Sequence, residues 1–186
     1  NLPLDSLTDL AVTAVTGVPC THDMGRFNGQ PFLYVAAFGA FTEIAYSTPQ
    51  KNKNLLGYNA YVLEVVKSLS SIKPYHIKVE SEDQTIEGDY LYGMVSNTTS
   101  VGRFRNFPPG NPDLSDGLLD VEELSRALLM TDPSILNSML TTFPARKVKI
   151  TAANELLWTL DGEAGGAHRV VEIEAVHNAY TILHGK

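Results

Sequence analysis

Residues 155–166, ELLWTLDGEAGG, set an alternating apolar run against an acidic, glycine-rich turn. Leu156, Trp158 and Leu160 share one face of an extended chain, so Glu155 to Leu160 is expected to be a strand with one side in a core. Gly162, Gly165 and Gly166 then allow a sharp turn, positive φ or close backbone contact. Taken alone, the Asp161-Gly162 pair implies a hairpin whose carboxylates are solvated. Whether Asp161 and Glu163 do more depends on what surrounds them.

The pattern extends outward from this strand in both directions. Asp5 or Ser6 can cap a helix running to about Val15, stopped at Gly17. From Val18 the period changes: Val18–Arg26 and Pro31–Ala37 are expected strands joined across Asn28-Gly29, a strong hairpin signal. Gly39 implies a bulge or a close backbone approach. Leu55 to Leu69 carries a helical stripe of Leu55, Tyr58, Val62, Val65, Val66 and Leu69. Tyr75–Glu80, Gln84–Glu87 and Asp89–Ser96 form a further β region. Glu122–Met130 and Pro133–Thr141 have helical patterns, with proline at a helix start. Arg146–Thr151, Val170–Ala175 and Tyr180–Leu183 complete the strands. The fold class expected is α+β, a β-rich domain with flanking helical insertions.

Composition narrows the function. The chain has 186 residues, 44% hydrophobic and 19% charged, as in an ordinary globular protein. No apolar run approaches the roughly 20 residues that cross a bilayer. One cysteine, Cys20, excludes an internal disulfide and a thiolate cluster, and points to a reducing cytoplasm. A formal net charge of −7 excludes a broad basic face for nucleic acid. There is no phosphate loop ending in Lys-Ser or Lys-Thr, no G-x-G-x-x-G and no G-x-S-x-G. The five histidines are scattered without zinc spacing.

The acids are more informative. Asp113, Asp116 and Asp120 lie within eight residues around Gly117. Magnesium and calcium take carboxylate and carbonyl oxygens, which a glycine-containing loop presents together, although the spacing is not that of an EF-hand. A solvated acidic turn is the other reading of the same residues.

Five segments, in this order, resemble one family: HDMGRFNGQPFLYVAAFGAFTEIAYSTP from His22, KNKNLLGYNAYVLEVVKSL from Lys51, EGDYLYGMVSNTTSVGRF from Glu87, LSDGLLDV from Leu114 and LDGEAGG from Leu160. They are similar to the C-terminal domain of bacterial diacylglycerol kinases and sphingosine kinase-like lipid kinases, from roughly Val18 to Leu183. The resemblance implies an atypical β-sandwich-like second domain of the NAD kinase/diacylglycerol kinase-like fold. It implies that residues 1–17 link to a missing N-terminal nucleotide-binding domain, where the family carries G-G-D-G-T. Residues 18–175 would then be the lipid-side catalytic domain, and 176–186 a segment returning toward the missing part. The absence of an initial methionine agrees with that expectation.

The activity implied is transfer of the γ-phosphate of ATP to the hydroxyl of diacylglycerol or a related lipid at the cytoplasmic membrane surface, by a peripheral and possible homodimeric enzyme. This chain alone would then be inactive. Glu163 falls at the family's proposed general base, with Asp161 bracing the turn or the metal environment. Magnesium would be held by Asp113, Asp116 and the Leu118 carbonyl, with ATP bound mainly by the missing domain. Asp120 could link the metal loop to the glutamate turn through water. The pattern departs from the family after Val121, where Glu122-Glu123-Leu124-Ser125 follows at once. A long-chain-base or ceramide kinase is an alternative, as are a non-catalytic lipid- or metal-binding β-sandwich module and a NAD kinase.

Overall fold

The computed structural model describes residues 7–39, 74–98, 100–101, 104–105, 113–125 and 140–185. The helical stripe of Leu55–Leu69 lies outside these residues, as do the caps Asp5 and Ser6. Among the described residues one helix, α1 (Leu7–Thr16), is followed by β1 (Val18–Phe27), β2 (Gln30–Phe32), β3 (Val35–Gly39), β4 (Tyr75–Ser81) and β5 (Thr85–Ser96). Short β6 (Ser100–Val101) and β7 (Phe104–Arg105) pair with each other. Then come β8 (Leu119–Ser125), β9 (Leu140–Ala145), β10 (Lys147–Leu160) and β11 (Glu163–His184).

Nine strands form one antiparallel sheet, in the order β2-β1-β11-β10-β3-β5-β8-β9. β4 continues the column of β3: it pairs with the start of β10 on one side and the start of β5 on the other. β1, β4 and β10 alternate buried and exposed residues, whereas β3 is buried throughout, as is β5 from Leu91 to Ser96. Phe27 of β1 and Val121 of β8 belong to one core cluster with Trp158, Phe38, Ile77 and Ile173. A sheet whose distant strands share one core must curl over itself, which gives the β-sandwich-like form. Trp158 sits at its centre, with ring centroids 5.0 Å from Phe27 and 4.9 Å from Phe38. Prolines appear in the two end strands, Pro31 in β2 and Pro144 in β9, where a missing N–H costs no inner ladder bond.

The strands are longer than the sequence pattern implies. Gly88 does not separate two strands but lies inside β5, opposite Ile77. β11 runs unbroken across the expected gap between Ala175 and Tyr180. The expected helix from Glu122 is, as far as Ser125, part of β8, and the one ending at Thr141 has Leu140 and Thr141 in β9. Helix-forming Glu122, Glu123 and Leu124 are overridden by pairing on both sides, with β5 and with β9. By contrast, the hairpin expected at Asn28-Gly29 forms, with φ of 47° and 89°, positive at both residues as a type I′ turn requires.

Two glycines with positive φ separate conformational strain from collision. Gly39 (φ 89°) would drive a Cβ into the Leu91 carbonyl oxygen, whereas Gly162 (φ 88°) has open space around it. Gly162→Ala is therefore expected to cost about 1–2 kcal/mol, the left-handed penalty alone. Gly39→Ala should cost more, because the backbone of β5 must also move. Urea denaturation of the two variants checks this, and equal losses would contradict the packing described for β3 and β5.

Candidate functional site

Hairpin β10–β11 turns at Asp161 (φ 52°) and Gly162, with Leu160 paired to Glu163. The Asp161 carboxylate, although exposed, is engaged by backbone: Oδ2 accepts the Leu33 amide at 2.8 Å, and Oδ1 accepts those of Tyr34 (2.8 Å) and Val35 (2.9 Å). The Asp161 amide returns a bond to the Val35 carbonyl at 2.8 Å. Three amides drawn to one side chain explain why the expected strand Pro31–Ala37 is broken at Leu33 and Tyr34. Glu163, two residues on, is exposed at the start of β11. Both acids of this turn are exposed, and Asp161 is the one held by backbone amides.

In the second acidic motif, Asp113 Oδ1 accepts the Ser115 hydroxyl (2.8 Å) and amide (3.0 Å), and these bonds hold its carboxyl below the usual aspartate value. Asp116 Oδ1 accepts the Leu118 amide at 2.9 Å. Both aspartates are exposed, and Gly117, directly after Asp116, is buried with φ 79°. Asp120 is half-buried in β8, opposite Ser96. Burial, and then the charge of Asp116, push its carboxyl above the ordinary value. Among the described residues, no lysine or arginine forms an ion pair with these three aspartates. Nor do three His, Cys, Asp or Glu side chains among them gather closely enough to hold a metal ion unaided. The donor set that the loop offers is two carboxylates and a carbonyl.

Asp23, unremarked in the sequence, holds this loop. It is 0% exposed in β1. Oδ2 accepts the Gly117 amide at 2.6 Å, while Oδ1 accepts the Asn178 amide at 2.7 Å and His177 Nδ1–H at 2.9 Å. Its own amide donates to the Leu114 carbonyl at 2.8 Å. The Asn97 side-chain amide donates to the Asp23 carbonyl at 2.6 Å, and the Asn97 backbone amide donates to the Tyr34 carbonyl at 3.1 Å. An unbroken path thus runs from Asp161 through Tyr34, Asn97 and Asp23 to Gly117. It joins motifs that the sequence separates by more than 40 residues. Tyr180 lies within reach of both ends: burial, then the charges of Asp161 and Asp23, push its phenol above the ordinary value.

Asp23, Asn97 and His177 are the residues that sequence reasoning missed. A charged side chain in an otherwise alternating strand, Asp23 between His22 and Met24, was the available signal. Asp120 borders the loop, but the described path to the hairpin passes through Asp23 and Asn97.

Comparison with known proteins follows this geometry. A family model described as the YegS C-terminal NAD kinase beta sandwich-like domain matches residues 39–184. A Bacillus subtilis protein named diacylglycerol kinase is 30% identical over 176 residues, covering 89% of this chain and 58% of that protein. A diacylglycerol kinase of Staphylococcus saprophyticus is 29% identical over 178 residues, covering 89% and 57%. Among solved structures, a diacylglycerol kinase from Bacillus anthracis superposes with a TM-score of 0.63 at 18% identity, covering 90% of this chain and 55% of that one. A further solved chain from the same organism gives a TM-score of 0.71 at 20% identity, covering 90% and 57%. These structural likenesses show a shared fold. The chain spans well under two thirds of the length of the relatives it matches.

The raised carboxyl of Asp120 has a definite stability signature. An acid whose folded value is raised gives stability that is present below its unfolded value of 3.8 and lost as pH rises through the folded value. Asp120→Asn is therefore expected to raise stability at pH 7, and the gain should close as pH falls below that value. Denaturation midpoints with a chelator present, at neutral and acid pH, check this. An equal loss at both would contradict the crowding of Asp116 and Asp120.

Proposed function

The chain belongs to the family of the YegS C-terminal NAD kinase beta sandwich-like domain, and from that premise we propose that it is the lipid-side portion of an ATP-dependent lipid kinase. The acceptor is the hydroxyl of diacylglycerol or a close relative at a membrane surface, and ATP is bound mainly by a part of the protein outside this chain. What supports the reading is the hydrogen-bonded path that fixes an exposed glutamate and an acidic loop on one scaffold. The names of the B. subtilis and S. saprophyticus relatives agree with it. So does the shape of the domain's end: Val12, Val15, Val18, Ile182 and Leu183, on α1 and the outer ends of β1 and β11, are large apolar side chains left exposed. Further chain packed there would cover them. No described helix is long and apolar enough to cross a membrane.

The chemistry assigns each group a task. A lipid hydroxyl is a poor nucleophile until its proton has an acceptor. Glu163 takes that proton as the hydroxyl oxygen bonds to the γ-phosphorus, and the bond from γ-phosphorus to the bridging oxygen breaks, releasing ADP. Asp161 keeps the hairpin from turning away, since its carboxylate is committed to three amides of the neighbouring segment. Magnesium fits the acidic loop by donor chemistry: two carboxylates, Asp113 and Asp116, and the Leu118 carbonyl, with the negative charge felt by Asp120 left uncompensated. When bound, the ion would neutralise that charge and stiffen the loop.

Two measurements on the intact protein test this. Glu163→Gln keeps the size of the side chain and removes the proton acceptor. It should lower kcat by about 10²–10⁴-fold with little change in the KM for ATP. Wild-type turnover by this variant would end the assignment of the base. Separately, millimolar magnesium should raise the Tm of the wild type but not of Asp116→Ala, because only a ligand bound to the folded state stabilises it. Equal shifts in both would remove the ion from this loop.

A further inference from the structure

His177 is the one side chain among the three donors to the Asp23 carboxylate; the other two are backbone amides. It occupies an irregularity in the pairing of β1 with β11. In β1, His22 faces Tyr180 and Met24 faces Val176, so Asp23 alone stands opposite residues 177–179. Asn178 turns the chain with φ 52° and aims its amide at Asp23. The His177 ring is held at both nitrogens: Nδ1 lies 2.9 Å from Asp23 Oδ1, and Nε2 lies 2.8 Å from the Asn178 side-chain amide. A ring carrying its proton on Nδ1 donates the first bond and accepts the second. The ring also stands over Gly117, where a Cβ would lie 3.4 Å from Nδ1 and 3.6 Å from Cγ.

We propose that His177 is a positioning residue for the acidic loop, acting through Asp23 on the Gly117 amide, and that it thereby sets the loop's affinity for a divalent cation. Asp23 grips the loop twice, through Leu114 by its backbone and through Gly117 by its side chain. Asp113 and Asp116 each directly precede one of these two anchored residues, so the rotation of the Asp23 carboxylate fixes how they face one another. His177 restrains that rotation together with the Asn178 amide, which holds the same oxygen. His177 holds Oδ1 while its ring backs the glycine bonded to Oδ2. Groups bonded directly to metal ligands typically change affinity by about 10–100-fold when removed, and His177, acting further back, belongs at the lower end of that range. The cation half of the proposal rests on the magnesium reading above; the loop half stands on the hydrogen bonds alone.

The test uses the intact protein with His177→Leu, which removes the donor, and His177→Asn, whose Nδ2 occupies much the same place as the lost Nδ1. With chelator present, exchange of the Gly117 amide proton is followed by NMR, with Val171 and Ile173 as core controls. Affinity for Mn2+ alone is measured by electron paramagnetic resonance. His177→Leu should speed Gly117 exchange selectively, by about tenfold, as a local opening would. It should weaken Mn2+ binding about tenfold, and His177→Asn should restore most of both. Unchanged Gly117 exchange in His177→Leu, or no recovery in His177→Asn, overturns the positioning role. Wild-type Mn2+ affinity in His177→Leu overturns the cation half. So does equal affinity in wild type and Asp116→Ala, which would also sink the magnesium reading while Gly117 exchange still decides what His177 does.

Discussion

The buried carboxylate of Asp23 is the constraint around which this domain is arranged. A carboxylate removed from water costs several kcal/mol unless its oxygens find donors. Here the donors come from two distant places, the Gly117 amide and the His177–Asn178 corner of β11. The cost of burying the charge is offset only when the loop after residue 112 and the far part of β11 both meet β1 at one point. A hydrophobic core tolerates small slips of one strand against another, but this arrangement does not. Asn97 extends the same requirement to the segment before β3, and through it to the hairpin that carries Glu163.

The hairpin and the loop use their acids in complementary ways. Asp161 shapes the hairpin by binding residues 33–35, and Asp23, from β1, anchors the loop by binding Gly117. The exposed acids, Glu163, Asp113 and Asp116, are then carried on pieces of chain that cannot easily relax. This matters for a chain with a formal net charge of −7. Acids crowded on flexible turns would simply move apart; here Asp120 is fixed in β8, where burial first and the charge of Asp116 second raise its carboxyl.

Much of the framework is legible in the residues, because its signals are local. Asn28-Gly29 and Asp161-Gly162 specify their turns through positive φ, and Leu156, Trp158 and Leu160 specify a face through period two. Where reasoning from the sequence goes wrong, a distant partner has overruled a local preference. Gly88 stays in strand because β4 pairs with it, and Glu122 to Ser125 stay extended between two neighbours. The gap expected in β11 is a bulge that Asp23 fills. Glu163, Asp113 and Asp116 could be singled out because they sit in short recognisable motifs. Asp23, Asn97 and His177 could not, since a hydrogen bond between residues 154 apart leaves no trace in the spacing of either.

The pairing of β1 with β11 also dictates when the site comes into being. Val18 faces His184, so this ladder joins the first and last of the described strands. Closing a flexible loop of about 165 residues costs on the order of 4–5 kcal/mol of chain entropy before any contact across it is gained. Such contacts form late, after the shorter hairpins β4–β5 and β10–β11 have already reduced the span to be closed. The Asp23 carboxylate can find its partners on β11 only at that last step. An incompletely folded chain therefore keeps its acidic loop slack, and a competent arrangement of the two motifs certifies that the whole sheet has closed.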